Sequence, residues 1–315
     1  MKPPDRVLVI FPGALGDLIC LTPVLSVLRR RHRDASLELM ARDELVRLAI
    51  GRLGINCGES IDRREVGRLF IDASLTERID LFRGFSRVYS FFGADDSTFR
   101  KMLSDAASDA TVSFHPFRPV NTSHIATAYL DSIGARAVPV ESRLDLLDAD
   151  RGAATSLLAG LDLDPVNFAL VFPGSGSHAK NWPYENFVAM AARLARKIPV
   201  LFILGPAEAE FAPRLRTIGL PMLSGLELPI VAAIAAQARL FIGNDSGVSH
   251  LAAAAGAAGL VIFGPTDPAR WRPLGQVQIL SRMPLEALAP GEVMATAESL
   301  WARQIVNGRH ETAKR

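Results

Sequence analysis

The sequence predicts a two-domain α/β protein with a doubly wound parallel sheet in each half, and three features point to it. Short continuous apolar runs recur, Arg6–Phe11 and Phe168–Phe172 being the clearest, and each ends at Pro-Gly. Runs of that length, ended by a turn, read as parallel strands buried on both faces. Helical stretches lie between them, and strand–helix alternation is the signature of a sheet wrapped by helices. A chain of 315 residues is long enough for two domains of about 100–200 residues each.

In the first half, the strand Arg6–Phe11 leads through Pro12-Gly-Ala-Leu-Gly-Asp17 into an apolar helix reaching Arg31. Strands follow at Ser36–Met40, Val88–Phe92 and Thr111–Phe114, with helices at Ser97–Ala107 and Thr122–Ile133. Residues 55–85 show no clear period. Ala137–Asp150, with prolines and many charges, reads as the linker, which gives domains 1–145 and 146–315. The second half restarts with the strand Phe168–Phe172, then a helix Pro183–Arg196 with proline in its first turn, where its missing N–H costs nothing. Strands at Val200–Leu204, Leu240–Ile242 and Leu260–Phe263 alternate with helices at Pro206–Thr217, Leu228–Gln237 and Val248–Ala255. A final helix, Glu292–Ile305, is free to cross back to the first domain.

Bulk properties exclude several classes. A net charge of +2 gives no support for a general nucleic-acid binder, which would need a basic face. Cys20 and Cys57 form neither a metal-ligand spacing nor a disulfide framework, which suits a reducing compartment. The N-terminus shows no signal peptide. The longest apolar stretch, Leu251–Gly264, is too short for a membrane span and fits a buried helix followed by a strand. A cytoplasmic protein is expected. Arg29–Arg33 closes the first helix. It reads either as a solvated helix end opposing the dipole, or as a basic patch making peripheral contact with the inner membrane or a phosphorylated glycan.

Ligands of open α/β sheets bind beyond the carboxyl ends of the strands, and the polar, glycine-rich turns fall there. The site is therefore expected to be built from loops of both halves facing each other. In Phe11-Pro-Gly-Ala-Leu-Gly-Asp17, the glycines (Gly16 among them) let backbone approach a ligand. Asp17 reads either as a helix N-cap or as a carboxylate that takes a proton from an acceptor hydroxyl. Phe172-Pro-Gly-Ser-Gly-Ser-His-Ala-Lys-Asn-Trp-Pro183 gathers Ser175, Gly176, Ser177 and Lys180 before a helix. Backbone N–H groups, hydroxyls and a cation suit phosphate, although the pattern is not a Walker loop. Trp182 reads as packing. Gly243-Asn-Asp-Ser-Gly-Val-Ser-His250 puts Ser246 and Gly247 at a helix N-terminus, with Asp245 a cap or a ligand contact and a lone His250. Phe263-Gly-Pro-Thr-Asp-Pro268 is either a proline-rich turn or a wall of the same pocket. The D-x-D Asp148-Ala-Asp150 falls in the linker and reads as a solvated charge pair, and neither a metal nor another cofactor is expected.

Taken together and in this order, with Thr22-Pro23 downstream of the first, these four loops resemble glycosyltransferase family nine, the heptosyltransferases of lipopolysaccharide core synthesis. The resemblance spans residues 6 to about 275. It implies a GT-B fold, two Rossmann-like doubly wound domains facing across a cleft. It also implies inverting, metal-independent transfer from ADP-heptose to a lipopolysaccharide core or related glycan acceptor. Asp17 matches the family's general base, Ser175 and Lys180 its donor-phosphate contacts, and Asp245, Ser246, Gly247 and His250 its donor motif. Glu208 matches its ribose-binding acid. Ile55–Pro119, with Ile61-Asp-Arg-Arg64 and Phe91-Phe-Gly-Ala-Asp-Asp96, departs from the family's pattern and leaves the acceptor residues open. A sugar-nucleotide epimerase on the same fold, or a non-catalytic nucleotide-binding protein, are the alternative readings, since fold does not fix function.

Overall fold

The computed structural model of the chain describes residues 5–71, 79–120 and 123–312. Thr122, the expected first residue of one helix, lies outside them, as does part of the unread 55–85 stretch. The chain forms two compact units, Met1–Asp145 and Leu146–Arg315.

Unit 1 runs β1 (Arg6–Ile10), α1 (Leu15–Arg31), β2 (Ser36–Ala41), α2 (Asp43–Ala49), β3 (Cys57–Ser60), α3 (Arg64–Gly67), β4 (Arg87–Ser90), α4 (Ser97–Ala106), β5 (Thr111–Phe114), α5 (Ile125–Ser132). Its sheet has the order β3-β2-β1-β4-β5, with every pair parallel. The chain starts in the middle, winds to one edge, then returns past β1 to build the other. The switch point therefore lies between β1 and β4, where a doubly wound sheet opens a ligand crevice.

Helix α1 is buried nearly all round, from Leu18 to Leu28. It carries Pro23 in its interior, where proline removes the N–H that would bond the carbonyl four residues back. That carbonyl, of Ile19, is taken instead by the Thr22 hydroxyl at 2.8 Å and the Ser142 hydroxyl at 2.9 Å. The helix thus keeps its polar groups satisfied and ties down the segment leading out of the unit. At its far end Arg29 donates to the carbonyls of Ala35 and Arg33, and Arg31 to those of Ile133 and Gly134. Two of the clustered cations therefore close neighbouring chain ends.

Unit 2 runs α6 (Asp148–Ala159), β6 (Ala169–Phe172), α7 (Tyr184–Leu194), β7 (Val200–Leu204), α8 (Ala212–Thr217), β8 (Met222–Ser224), α9 (Leu228–Gln237), β9 (Leu240–Asn244), α10 (Gly247–Ala254), β10 (Gly259–Phe263), α11 (Pro268–Trp271), β11 (Val277–Ser281), α12 (Pro290–Thr312). The parallel order β11-β10-β9-β6-β7-β8 puts its switch point between β6 and β9. The chain is thus α/β with two parallel sheets. Its core in this unit includes Trp182, Phe187 and Phe202, all fully buried, and α12 packs on α7.

Several expectations are corrected. The segment taken as linker ends in α6, whose first turn holds Asp148 and Asp150. Asp150 is buried, and its carboxylate accepts the Leu147 N–H at 3.0 Å, so the D-x-D is a helix start and not a solvated pair. Pro206–Thr217 divides into a 3-10 stretch over Pro206–Phe211 and then α8. The last helix starts two residues earlier than expected, at Pro290, and runs on to Thr312. Leu240–Ile242 extends to Asn244, which brings a polar residue to the end of a buried strand.

Candidate active site

In unit 1 the loop after β1 delivers Asp17 to the switch point. Asp17 is not the N-cap of α1. That position is Ala14, and the Asp17 carboxylate, one turn in, accepts the Ala14 N–H at 3.1 Å. Gly13 is required sterically, because a Cβ there would lie 2.5 Å from the Phe11 ring and 2.7 Å from the Asp17 Cβ. Gly16 is the second residue of α1. The other partner of Asp17 is Arg118, from the loop after β5, whose guanidinium lies 3.1 Å from Oδ1 and 3.3 Å from Oδ2. The Asp17 side chain is 10% exposed and that of Arg118 52%. The carboxylate is thus oriented from two sides and still reachable. Sequence reading missed Arg118; its only signal was a cation between prolines, in Pro116-Phe-Arg-Pro119.

In unit 2 the loop between β6 and α7 begins at Pro173 and returns to the core at Trp182. Both ends are held by one side chain, the fully buried Asn244 amide at the end of β9. Asn244 donates to the Pro173 carbonyl at 2.8 Å and accepts the Trp182 N–H at 3.0 Å. The Trp182 indole N–H donates to the Leu288 carbonyl at 3.0 Å, so this residue is packing, as its composition suggested. Between these anchors the Ser175 hydroxyl donates to the Ser177 carbonyl at 2.8 Å, and Gly176 faces open space. Lys180, in a 3-10 turn over His178–Lys180, crosses the switch point to Asp245. Its Nζ lies 2.8 Å from Asp245 Oδ2, with side chains 32% and 5% exposed. Thr266, from the loop after β10, donates to the same oxygen at 2.6 Å.

Asp245 is therefore not a cap; the N-cap of α10 is Ser246. The Ser246 hydroxyl turns to Ser249, 3.2 Å away, and makes no cap bond to the helix backbone. Its oxygen thus does not compete for the first N–H groups of α10, Gly247 among them, which carry the positive end of the helix dipole. His250 lies in the same helix and is buried. At the next strand end, Glu208 is buried and accepts the Gly205 N–H at 2.9 Å. Its carboxylate occupies the space beside Gly174, where a Cβ would come within 2.1 Å of it. The 3-10 stretch carrying Glu208 is pinned at its far end by Phe211, stacked on Tyr184 at 3.7 Å. The Tyr184 hydroxyl donates to the Phe211 carbonyl, and burial pushes its pKa up to about 12, so it stays a donor across the neutral range.

The structure thus brings Ser175, Gly176, Ser177, Lys180, Glu208, Asp245, Ser246, Gly247 and His250 to the carboxyl edge of one sheet. It brings Gly16 and Asp17 to the carboxyl edge of the other. Arg63 and Arg64, after β3, and Phe92, after β4, share that second edge. The Phe91–Asp96 motif is largely structural. Gly93 adopts a positive φ of 64° against the Phe99 ring, and Asp96 caps α4 through the Phe99 N–H at 2.8 Å. Among the described residues no helix is long and apolar enough to cross a membrane.

The lipopolysaccharide heptosyltransferase 1 of Escherichia coli K12 is 30% identical over 155 residues, 48% of this chain and 49% of that protein. The chain spans about half the length of the curated relatives it matches. Among solved structures, a glycosyl transferase family 9 protein from Veillonella parvula superposes with a TM-score of 0.79 at 20% identity, over 95% of this chain and 97% of that one. E. coli heptosyltransferase WaaC with ADP superposes with 0.70 at 18% identity, over 94% and 99%. These likenesses show the fold. The profile of glycosyltransferase family 9 (heptosyltransferase) matches residues 123–299, more than half of the sequence. The chain belongs to glycosyltransferase family 9.

Proposed function

We propose that the chain is an inverting glycosyltransferase that moves heptose from ADP-heptose to a lipopolysaccharide core or related cell-surface glycan. The observation that carries this is the convergence of Lys180 and the N-terminus of α10 on one switch point, an arrangement made for a diphosphate. The relative solved with ADP supports adenosine diphosphate as the leaving group. In this reading Glu208 holds the ribose hydroxyls, and Ser175, Gly176, Ser177, Lys180, Ser246 and Gly247 hold the phosphates, with Gly16 and His250 lining the donor. An acceptor hydroxyl attacks the anomeric carbon and its proton passes to Asp17. The new C–O bond forms as the anomeric C–O bond to phosphate breaks, and the electron pair leaves with the diphosphate. Lys180 and the backbone amides stabilise that growing charge. A glycolipid acceptor would bring the enzyme to the inner face of the cytoplasmic membrane.

The test is release of ADP from ADP-heptose with and without acceptor glycan. Release that depends on the acceptor is expected. Conversion of the nucleotide sugar alone would make the protein an epimerase, and binding without turnover would make it a non-catalytic nucleotide binder. Because Lys180 and backbone amides supply the positive charge, the rate is expected to be the same in EDTA as in Mg²⁺ or Mn²⁺. Activity that vanishes with the chelator and returns with either ion would refute this.

Gly174→Ala tests the assignment of Glu208. The added Cβ must push the carboxylate out of its pocket. Hydrogen bonds to charged groups contribute about 1.5–3 kcal/mol, so ADP affinity is expected to fall about tenfold or more. Calorimetric titration that shows unchanged ADP affinity in the folded variant would remove Glu208 from the nucleotide site.

A further inference from the structure

We propose that Thr266 is a positioning residue for the diphosphate site, acting through Asp245 to hold Lys180 in place; this rests on the donor-site reading above. Lys180 sits on a loop whose two ends are anchored by Asn244, but its long side chain is otherwise free to choose among many rotamers. Its ammonium is fixed by one oxygen, Asp245 Oδ2, at 2.8 Å. That oxygen also accepts the Thr266 hydroxyl at 2.6 Å, in the short range of charge-assisted O–H···O⁻ bonds. Thr266 comes from a different strand end, the loop after β10, and is half-buried. Its neighbour Asp267 cannot take over the role, because a carboxylate only accepts, as Asp267 does from the Ala269 N–H at 2.9 Å in capping α11.

The arrangement has a consequence for binding. Asp245 neutralises Lys180. When a diphosphate arrives, Lys180 must be shared between phosphate oxygen and the buried carboxylate. A second donor on Oδ2 offsets part of the carboxylate charge and fixes its χ angles, so the ammonium can turn to the phosphate while Asp245 stays satisfied and aligned. Without the hydroxyl, Asp245 depends on Lys180 alone and holds it more tightly and in a less defined direction. The effect should fall on the phosphates and leave the nucleoside untouched.

Thr266→Val keeps the branched shape and removes the hydroxyl, while Thr266→Ser keeps the hydroxyl. In the full chain, ADP binding is measured by calorimetry and adenosine binding by ligand-observed NMR, with melting temperatures alongside. The expected result is a loss of about tenfold in ADP affinity for Thr266→Val, the size of one lost bond to a charged group. Adenosine affinity should be unchanged, the melting temperature should fall by no more than the loss of one hydrogen bond to Asp245 requires, and Thr266→Ser should restore ADP binding. Unchanged ADP affinity in the valine variant would overturn the proposal. So would equal weakening of ADP and adenosine, or a serine variant as weak as valine, since either would mean a role in packing. A wild-type chain that binds no ADP would instead defeat the donor-site reading itself, a different outcome from either of these.

Discussion

Asp17→Asn is expected to lower kcat by about 10²–10⁴-fold, the contribution of a positioned general base, while the fold and donor affinity stay nearly intact. The structure sharpens why this substitution separates the two roles. The amide oxygen of asparagine can still accept the Ala14 N–H that Asp17 accepts at 3.1 Å, so the first turn of α1 keeps its bond. What is lost is the charge facing Arg118. That pair is half exposed on the arginine side, and such pairs contribute about 0–1 kcal/mol to stability. The proposed phosphate and ribose contacts lie in unit 2, on residues this substitution does not touch. The measurement is kcat beside the melting temperature and the ADP dissociation constant. Turnover near wild type would remove Asp17 as the base and leave it as a helix-start residue. A large fall in melting temperature would show that its structural role exceeds one hydrogen bond.

Lys180→Ala is expected to reduce kcat/KM for the donor by about 10- to 100-fold, since charge-assisted bonds contribute about 1.5–3 kcal/mol. The alanine variant removes two things at once, because it also strips the nearly buried Asp245 of its cation. Breaking one side of such a pair costs stability as well as binding. Lys180→Gln separates them. Its amide can still donate to Asp245 but carries no charge for the phosphates. Both variants should lose the donor, and the glutamine variant should melt closer to wild type. Donor kinetics within about twofold of wild type in both would place Lys180 outside the site and make the Asp245 pair purely structural.

Much of this was legible in the sequence because buried parallel strands write themselves as unbroken apolar runs. β1, β6, β7 and β10 are of this kind, and the loops behind them carry the polar residues that a core would not tolerate without partners. Three of the four edge strands were not legible, the exception being β5, read as Thr111–Phe114. β3, β8 and β11 are short or only half buried, so Cys57–Ser60 and Met222–Ser224 have no run to read. α6 was hidden because Asp148 and Asp150 look like linker charges until one is seen to be buried against the backbone of its own first turn. Residue type named Asp17, Lys180 and Asp245 but left the role of each open, since a carboxylate at a helix start serves as cap or ligand with equal ease.

The sequence by itself determined the alternation of strand and helix, the loops that hold the chemistry and the family they resemble. The tertiary structure alone decided which side chains meet. Asp17 is joined by Arg118 from a loop about a hundred residues away. Asp245 takes Lys180 and Thr266, and Asn244 holds both ends of the loop that carries Lys180. These pairings depend on strand order, because in a doubly wound sheet the neighbours at the switch point come from opposite ends of the winding. Local sequence sets the conformation of each turn, whereas only the assembled sheet brings distant turns within hydrogen-bond reach.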